Sequence, residues 1–487
     1  MKKIYIYTLS TLLLWGAAGC KKLNDFGNTN VDPTAVTAPV IPALIADVEK
    51  NMAQYVSTQS YAINGAAYAQ YLAETQYPGT SLYVLPQVDF TSQYAGTHDA
   101  NNLPIQAGNL YDCQNVINVA TNKNTVAAAT IMQQFLYWTI TDAFGDIPYS
   151  QALQGIKAIT PAYDKQEDVY KGILSKTAAA VASLSSGSVE GDVVYGGDIS
   201  KWKKFGNSLI ILASIQLSAK VPGASDYAAT AFKAAVAGGY IADNSDNFAV
   251  PFEANYHNPW FALYDGRTDW AESNTVTNMT KALNDGRSVP WGGAFNDPGQ
   301  VTGGKITSND GVPYGLARTD ANNYISAHPD WALVLRADYR TQTTPVNVIS
   351  AAQVTLAIAE GINIGWTTGN ANTTYQNGIK LSFIEWGLTA PASYLAQPGV
   401  AFNAQNLATQ QWLASYPNGH MGWNIWRKTG FPALTPAVGG SGPIVRRFVY
   451  ASTESQTNGA NYAAAVAREL GAHPGTDSQD NRVWWNQ

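Results

Sequence analysis

The chain has 487 residues and a net charge of −6, and only 13% of its residues are charged, about half of the usual ~25%. It has no cluster of Lys and Arg like those that contact phosphate backbones, which argues against nucleic acid as a partner. The 14 Trp and 27 Tyr, with many amide and hydroxyl side chains, predict a neutral-polar surface suited to uncharged, hydroxyl-rich ligands. Most individual Trp side chains are nonetheless expected in the core.

The first twenty residues combine a short apolar run with a cysteine. Two lysines precede an apolar segment, 4–15, that is shorter than the ~20 residues of a spanning helix. Small residues then lead to Cys20, as in a bacterial lipobox, where the thiol takes a diacylglyceryl group and more than one acyl chain makes the anchor firm. We therefore predict a lipoprotein signal peptide at 1–19, lipid attachment at Cys20 and a linker over 20–40. The alternative is a plain secreted protein with a chance cysteine.

Helical periodicity dominates three parts of the chain, at about 41–74, 105–240 and 346–487, which are predicted to form a helical scaffold. In the second part, Ile131, Phe135 and Trp138 lie on one face of a helix that Gly145 should end. Further helices are predicted at 166–184, after an N-cap at Asp198 or Ser200, near 226–238, and at about 350–365, 372–387, 404–414 and 460–470.

Two segments, about 75–104 and 240–345, lack this periodicity and are rich in Asn, Asp, Gly, Pro and aromatic residues. Long irregular segments in compact proteins are often functional. We predict a mainly α protein in which residues 41–487 form a single domain, with these two segments as an irregular, loop-rich half.

The residues give no sign of catalysis or metal binding. The five His residues are scattered, and neither an HExxH motif nor a G-x-S-x-G turn occurs. If Cys20 is lipidated, Cys113 has no partner for an intrachain disulfide and is expected to be a buried apolar residue. We predict no catalytic residue, no metal and no cofactor.

Acidic residues in the irregular half leave a hydrolase open as an alternative. Glycoside hydrolysis needs two carboxylates on either side of one bond. The candidates are Asp243, Asp246, Asp265, Asp269 and Glu272. The segment ADNSDN at 242–247 lacks the Gly and the final Glu of a calcium loop and is interpreted as a turn. The cations of WRKTG at 426–430 are interpreted as the end of a helix stopped by glycine.

Six segments, in order along the chain, carry a resemblance to a known family. They are FGNTNVDPTAV (26–36), TDAFGDIPYSQAL (141–153), GDISKWKKFGNSLIILASIQLS (197–218), AEGINIGW with TYQNGIKLSFIEWG (359–387), QQWLASYPNGHMGWNIWRKTGFPAL (410–434) and RRFVYASTESQTNGANYAAAV (446–466). Together they resemble the SusD/RagB family of nutrient-binding outer-membrane lipoproteins. One departure is Gly361, where the family usually has Ala.

The resemblance implies a SusD-like fold, with tetratricopeptide-like helix pairs packed against an irregular ligand-binding half. It implies a lipid-anchored, cell-surface protein of the outer membrane that does no chemistry. Its partner would be a SusC-like TonB-dependent transporter, to which it delivers a glycan or, alternatively, a peptide. A purely structural accessory of the transporter is a further alternative.

Individual ligand-binding residues are chosen by residue type and loop context within the irregular half. Tyr77 and Tyr83 flank Pro78 and Gly79 and are expected to be exposed. Tryptophans beside turn-forming residues would stack on a sugar ring, and nearby polar groups would pair with its hydroxyls. The complete set is Tyr77, Tyr83, Trp260, Arg267, Asp269, Trp270, Asn274, Trp291 and Trp331.

Overall fold

Helices make up most of the structure. In the computed structural model, the chain is described at residues 39–84, 97–98, 104–106, 109–292 and 309–487. The helices of these residues are α1 (Ile41–Tyr55), α2 (Ser60–Tyr68), α3 (Asn109–Val119), α4 (Lys123–Phe144), α5 (Gln166–Ser183), α6 (Ile199–Gln216), α7 (Tyr227–Ala237), α8 (Pro259–Ala262), α9 (Asn274–Leu283), α10 (Ser288–Trp291), α11 (Arg318–Ala327), α12 (Ala351–Asn363), α13 (Ala371–Glu385), α14 (Ala392–Ala396), α15 (Ala404–Ser415), α16 (Gly419–Thr429), α17 (Ser452–Thr457) and α18 (Gly459–Val466). The strands are β1 (Leu72–Glu74), β2 (Thr97–His98), β3 (Pro104–Gln106), β4 (Ile147–Pro148), β5 (Tyr163–Asp164), β6 (Phe248–Val250), β7 (Trp270–Glu272), β8 (Val346–Ile349), β9 (Leu470–Gly471) and β10 (Asn481–Arg482).

Neighbouring helices pack in pairs along two series. In the first, each helix from α3 to α7 packs on the next one. In the second, α12 packs on α13 and on α15, and α15 packs on α16. Helix α6 joins the two series through α12, and α16 packs on α2. The predicted mainly α fold is confirmed.

Local sequence explains the helix boundaries that could be predicted. Ile131, Phe135 and Trp138 of α4 are all buried, as their spacing indicates. Asn122 caps the start of this helix by accepting from the N–H groups two and three residues on, and Gly145 ends it with φ of 89°. Asp198 is the N-cap of α6. The helical part expected at about 41–74 is only partly helical, because a turn after Tyr55 separates α1 from α2 and strand β1 follows at Leu72–Glu74.

The strands pair only as two-stranded antiparallel ribbons among the described residues. Ribbon β1–β7 joins the segment after α2 to the irregular half, and ribbon β6–β8 joins that half to the segment that leads into α12. The expectation that 240–345 is irregular is partly wrong, since α9 and α11 are each ten-residue helices within it.

Several predictions fall outside the described residues. They concern the signal peptide at 1–19, lipid attachment at Cys20, the linker up to residue 38, and residues 85–96, 99–103 and 293–308 of the irregular half. Cys113 is fully buried, as expected. Within the described ranges, no helix has both the length and the apolarity needed to cross a bilayer.

The segment TDAFGD at the end of α4 holds distant parts of the chain together. The buried carboxylate of Asp142 accepts hydrogen bonds from the Tyr170 hydroxyl, the Asn424 amide, His420 Nε2 at 2.8 Å and Trp485 Nε1 at 3.0 Å. These donors come from α5, α16 and the C-terminal turn. One carboxylate therefore ties four segments to a single point.

Removing this carboxylate should destabilise the fold strongly. Asp142→Ala would leave several buried donors without an acceptor, so we expect a loss of about 3–5 kcal/mol in the free energy of unfolding. Denaturant unfolding measures it, and Asp265→Ala, at an exposed aspartate, should stay within about 0.5 kcal/mol of wild type. A loss for Asp142→Ala as small as that of Asp265→Ala would contradict the role given to Asp142.

The WRKTG segment is structural, as its sequence indicates. Arg427 is buried with its guanidinium 3.6 Å from the centroid of the Trp423 ring, and it donates to the carbonyl of Arg446. Lys428 Nζ lies 2.7 Å from the carboxylate of Glu360. Gly430 ends α16 in the left-handed conformation, with φ of 74°.

Steric crowding explains why position 361 has Gly, where the resembled family usually has Ala. A Cβ at this position of α12 would overlap the ring of Phe232 on α7. Glycine inside a helix costs about 1 kcal/mol relative to Ala, so close approach of the ring must offset this cost.

We expect Gly361→Ala to lower the free energy of unfolding by about 1–3 kcal/mol, because the added methyl group overpacks this contact. In a Phe232→Leu background the same change should be neutral or stabilising, since the ring is gone. Denaturant unfolding of the double-mutant cycle measures both effects. Gly459→Ala, at a helical glycine with open space around it, is the control. An equal loss in both backgrounds would show that Phe232 is not the cause.

Candidate functional site: an exposed tyrosine between two arginines

Ribbon β1–β7 places two loop segments side by side. Its register pairs Leu72 with Glu272 and Glu74 with Trp270. The pairing continues beyond the strands, because the N–H of Thr75 donates to the carbonyl of Asp269 at 2.8 Å. Segment 75–77 therefore runs beside segment 267–269.

A turn stabilised by Glu74 presents Tyr77 to solvent. Oε2 of Glu74 accepts from the N–H of Ser81 at 2.7 Å and from its hydroxyl at 2.8 Å. Tyr77 lies inside this turn and is 58% exposed, more than any other tyrosine among the described residues. The sequence prediction that Tyr77 is exposed is confirmed.

Two arginines flank this ring. The guanidinium carbons of Arg267 and Arg318 lie 5.7 and 5.5 Å from the centroid of Tyr77, within the range of cation–π attraction. Arg267 Nε donates to Asp269 Oδ2 at 2.6 Å, which fixes its orientation. Tyr77, Arg267, Asp269 and Arg318 are referred to below as the Tyr77 surface.

Helix α11 completes this surface and was missed in the sequence. Gln76 Nε2 donates to Asn322 Oδ1 at 3.0 Å, which ties the Tyr77 turn to the helix that carries Arg318. The signal that could have found the helix is weak: Asp320 in the first turn, and Ala321, Tyr324 and Ile325 at helical spacing.

Trp270 and Trp331 belong to ribbon β1–β7 and to the cluster packed against it. Trp331 is fully buried in a small apolar cluster with Ala73 and Ala271 of the ribbon. Trp270 is partly buried against the main core, and its carbonyl accepts from the hydroxyl of Tyr264 at 2.9 Å. The structure therefore does not present Trp331 to a ligand.

The other predicted residues lie elsewhere. The prediction that Tyr83 is exposed is wrong. This tyrosine is buried, and its hydroxyl accepts from the N–H of Ala437 at 3.0 Å. Trp291 is fully buried against Tyr416. Asn274 Oδ1 accepts from the N–H of Tyr314 at 3.1 Å, and Trp260 lines a separate cleft.

Four of the five acids considered for hydrolysis have a structural role or are buried. Asp243 caps the short 3₁₀ turn Asn244–Asp246, which confirms that ADNSDN forms a turn, and Asp246 pairs with Lys204 at 2.7 Å. Asp269 pairs with Arg267, and Glu272 is buried under the ribbon. Among the described residues, no group of His, Cys, Asp and Glu could hold a metal ion.

Burial of Glu272 should make stability depend on pH. Burial raises the pKa of its carboxyl well above the ordinary 4.5, although Lys281 opposes this. As pH rises above 4.5 the unfolded chain ionises first, so the folded state loses stability until pH passes the raised pKa, by at most about 1.4 kcal/mol per pH unit.

Glu272→Gln should remove this loss. The free energy of unfolding of the variant, relative to wild type, should increase from about pH 4.5 towards neutral pH. Denaturant unfolding across this range measures the difference, and Asp265→Asn, at an exposed acid, is the control. Parallel pH curves for wild type and Glu272→Gln would refute the effect of burial.

Comparison with known proteins places the chain in a family. The paired helices and the loop-rich half that packs on them match the architecture expected of a SusD-like protein. The model of the SusD-like family described as "Starch-binding associating with outer membrane" matches residues 32–451, and the chain belongs to this family. None of the curated proteins matches it.

Solved structures show the same fold at low identity. A chitin-binding SusD homologue from Flavobacterium johnsoniae is 23% identical, with a TM-score of 0.73 over 92% of this chain and 98% of that chain. A SusD homologue from Bacteroides uniformis is 24% identical, with a TM-score of 0.74 over 92% and 99%. A SusD-like protein from Bacteroides thetaiotaomicron is 21% identical, with a TM-score of 0.73 over 91% and 98%.

Proposed function

We propose that this protein is a lipid-anchored, cell-surface binding protein of the outer membrane that captures a glycan and delivers it to a SusC-like TonB-dependent transporter. The family description supports starch-type ligands and association with the outer membrane. The chitin-binding relative extends the candidates to chitin. The pattern ending at Cys20 supports the lipid anchor.

The observation that carries the proposal is the exposed Tyr77 ring between Arg267 and Arg318. A ring held by cations on a ribbon loses little conformational entropy when a ligand stacks on it. Arginine N–H groups supply donors for hydroxyl and ring oxygens. The surface has the apolar face and the polar donors that sugar binding requires.

A non-catalytic role agrees with the positions of the carboxylates. Asp246 and Asp269 are each paired with a cation, and Glu272 is buried. Hydrolysis would need two of the acids to face one bond across a space for the sugar. Binding without chemistry is therefore the function that we propose.

Tyr77→Ala should weaken polysaccharide binding by about tenfold, because it removes the stacking face. Calorimetry and pull-down with soluble starch and with chitin oligosaccharides measure the loss. Tyr111→Ala, at another exposed tyrosine, on α3, is the matched control and should bind like wild type.

The same titrations separate the alternatives. Equal binding by wild type and Tyr77→Ala would reject the Tyr77 surface. Binding of oligopeptides without any glycan would identify a peptide-binding member, since two exposed arginines also suit a peptide carboxylate. Release of reducing sugar that Asp269→Asn abolishes would identify a hydrolase.

A further inference from the structure

A cleft of about 370 Å³ lies away from the Tyr77 surface, where the irregular half meets the helices. One wall is ribbon β6–β8, in which Ala249 lies opposite Asn347. The other walls are the end of α13 and the junction of α15 with α16. Its volume is within the range of about 300–1,000 Å³ that is typical of small-ligand sites. Residues of helices and strands and of the loops beside them both contribute to its walls.

Three aromatic side chains line the cleft. Trp260 is fixed at the start of α8 because its N–H donates to the N-cap, Asn258, at 2.7 Å. Tyr339 and Trp386 lie 5.9 Å apart between ring centroids, and the hydroxyl of Tyr339 donates to the carbonyl of Trp386 at 3.0 Å. Both are only partly buried, whereas Trp260 is almost fully buried.

Two buried amide atoms at the cleft have no hydrogen-bond partner among the described residues. Asn418, 6% exposed, uses Oδ1 to cap α16 through the N–H of Met421 at 3.2 Å, and its Nδ2 is unpaired. Asn244 Nδ2 donates to the carbonyl of Leu381 at 3.0 Å, and its Oδ1 is unpaired. Buried polar atoms are nearly always paired in folded proteins. The cleft thus has one unpaired donor and one unpaired acceptor.

The charges at the cleft favour a neutral ligand. Within the described chain, no Lys, Arg or His lines it. The nearby Arg336, whose guanidinium lies over the Tyr339 ring, is paired with Asp338 at 2.7 Å. Glu385 is the one ionisable acid among the lining residues, and its Oε1 accepts from Asn347 at 2.7 Å. Burial raises the pKa of Glu385 to about 7, which reduces its negative charge at neutral pH. An anionic ligand would find no counter-charge here.

We propose that this cleft, referred to as the Asn418 cleft, is a second binding site that holds a single neutral sugar ring. The ring would stack against Trp386 and Tyr339, accept from Asn418 Nδ2 and donate a hydroxyl to Asn244 Oδ1. The choice of a sugar rests on the glycan-binding function proposed above, whereas the site itself rests on the cleft alone.

The test uses the full-length chain with glucose and with N-acetylglucosamine, the single units of starch and chitin, titrated by saturation-transfer NMR. Asn418→Ser keeps a capping oxygen for α16 but removes the Nδ2 donor, so binding of at least one probe should weaken about five- to tenfold. Asn403→Ser, at the N-cap of neighbouring α15 and away from the cleft, is the matched control and should bind like wild type. Asn418→Asp, which also keeps the cap, replaces Asn418→Ser if the latter does not fold.

Tyr77→Ala separates the two sites. If it leaves monosaccharide binding unchanged while Asn418→Ser weakens it, the Asn418 cleft is supported. If neither sugar binds wild type, or if Asn418→Ser binds as wild type does, the Asn418 cleft is rejected, and polysaccharide binding at the Tyr77 surface is still tested independently. If only Tyr77→Ala abolishes the signal, both sugars bind at the Tyr77 surface and the second site is rejected.

Discussion

The fold depends on burying charge at a few points where each charge is fully satisfied. Asp142 is the clearest case, since its two carboxylate oxygens serve donors from α5, α16 and the C-terminal turn. A buried carboxylate without partners would cost several kcal/mol, so the four segments must assemble together. This requirement joins α4, in the first third of the chain, to residues more than 270 positions later.

A buried ion pair, Arg287 with Asp285, attaches the irregular half to this scaffold. Arg287 and Asp285 are both fully buried, and Arg287 donates to Ser382 Oγ at 2.9 Å and to Gln410 Oε1 at 2.8 Å. The Tyr394 hydroxyl donates to Asp285 at 2.6 Å. Because these partners lie on α13, α14 and α15, the loop-rich half has a fixed place on the second helix series. The Asn418 cleft lies along this same boundary, where the end of α13 and the junction of α15 with α16 meet ribbon β6–β8.

Periodicity and capping residues were enough to predict the scaffold, whereas exposure in the irregular half was not predictable. Tyr77 and Tyr83 lie on either side of the same Pro-Gly pair, and only Tyr77 is exposed. The difference arises because the hydroxyl of Tyr83 meets the N–H of Ala437, which is 354 positions away. Likewise, Trp331 looks like a loop residue, yet ribbon β1–β7 covers it. Long-range contacts of this kind have no signature in a short window of sequence.

The low charge of the chain therefore says less about its ligand than it first suggests. Much of the amide content is used within the fold: asparagines cap helix after helix, including α4, α8, α13, α15 and α16. Most of the tryptophans in the described part of the chain are buried in the core. Candidate ligand-binding groups are therefore the side-chain atoms that neither cap a helix nor fill the core. Tyr77 with its two arginines is one such set, and the unpaired amide atoms of Asn418 and Asn244 are another. Both sets combine an aromatic face with free polar atoms, which is the pairing that a sugar ring requires.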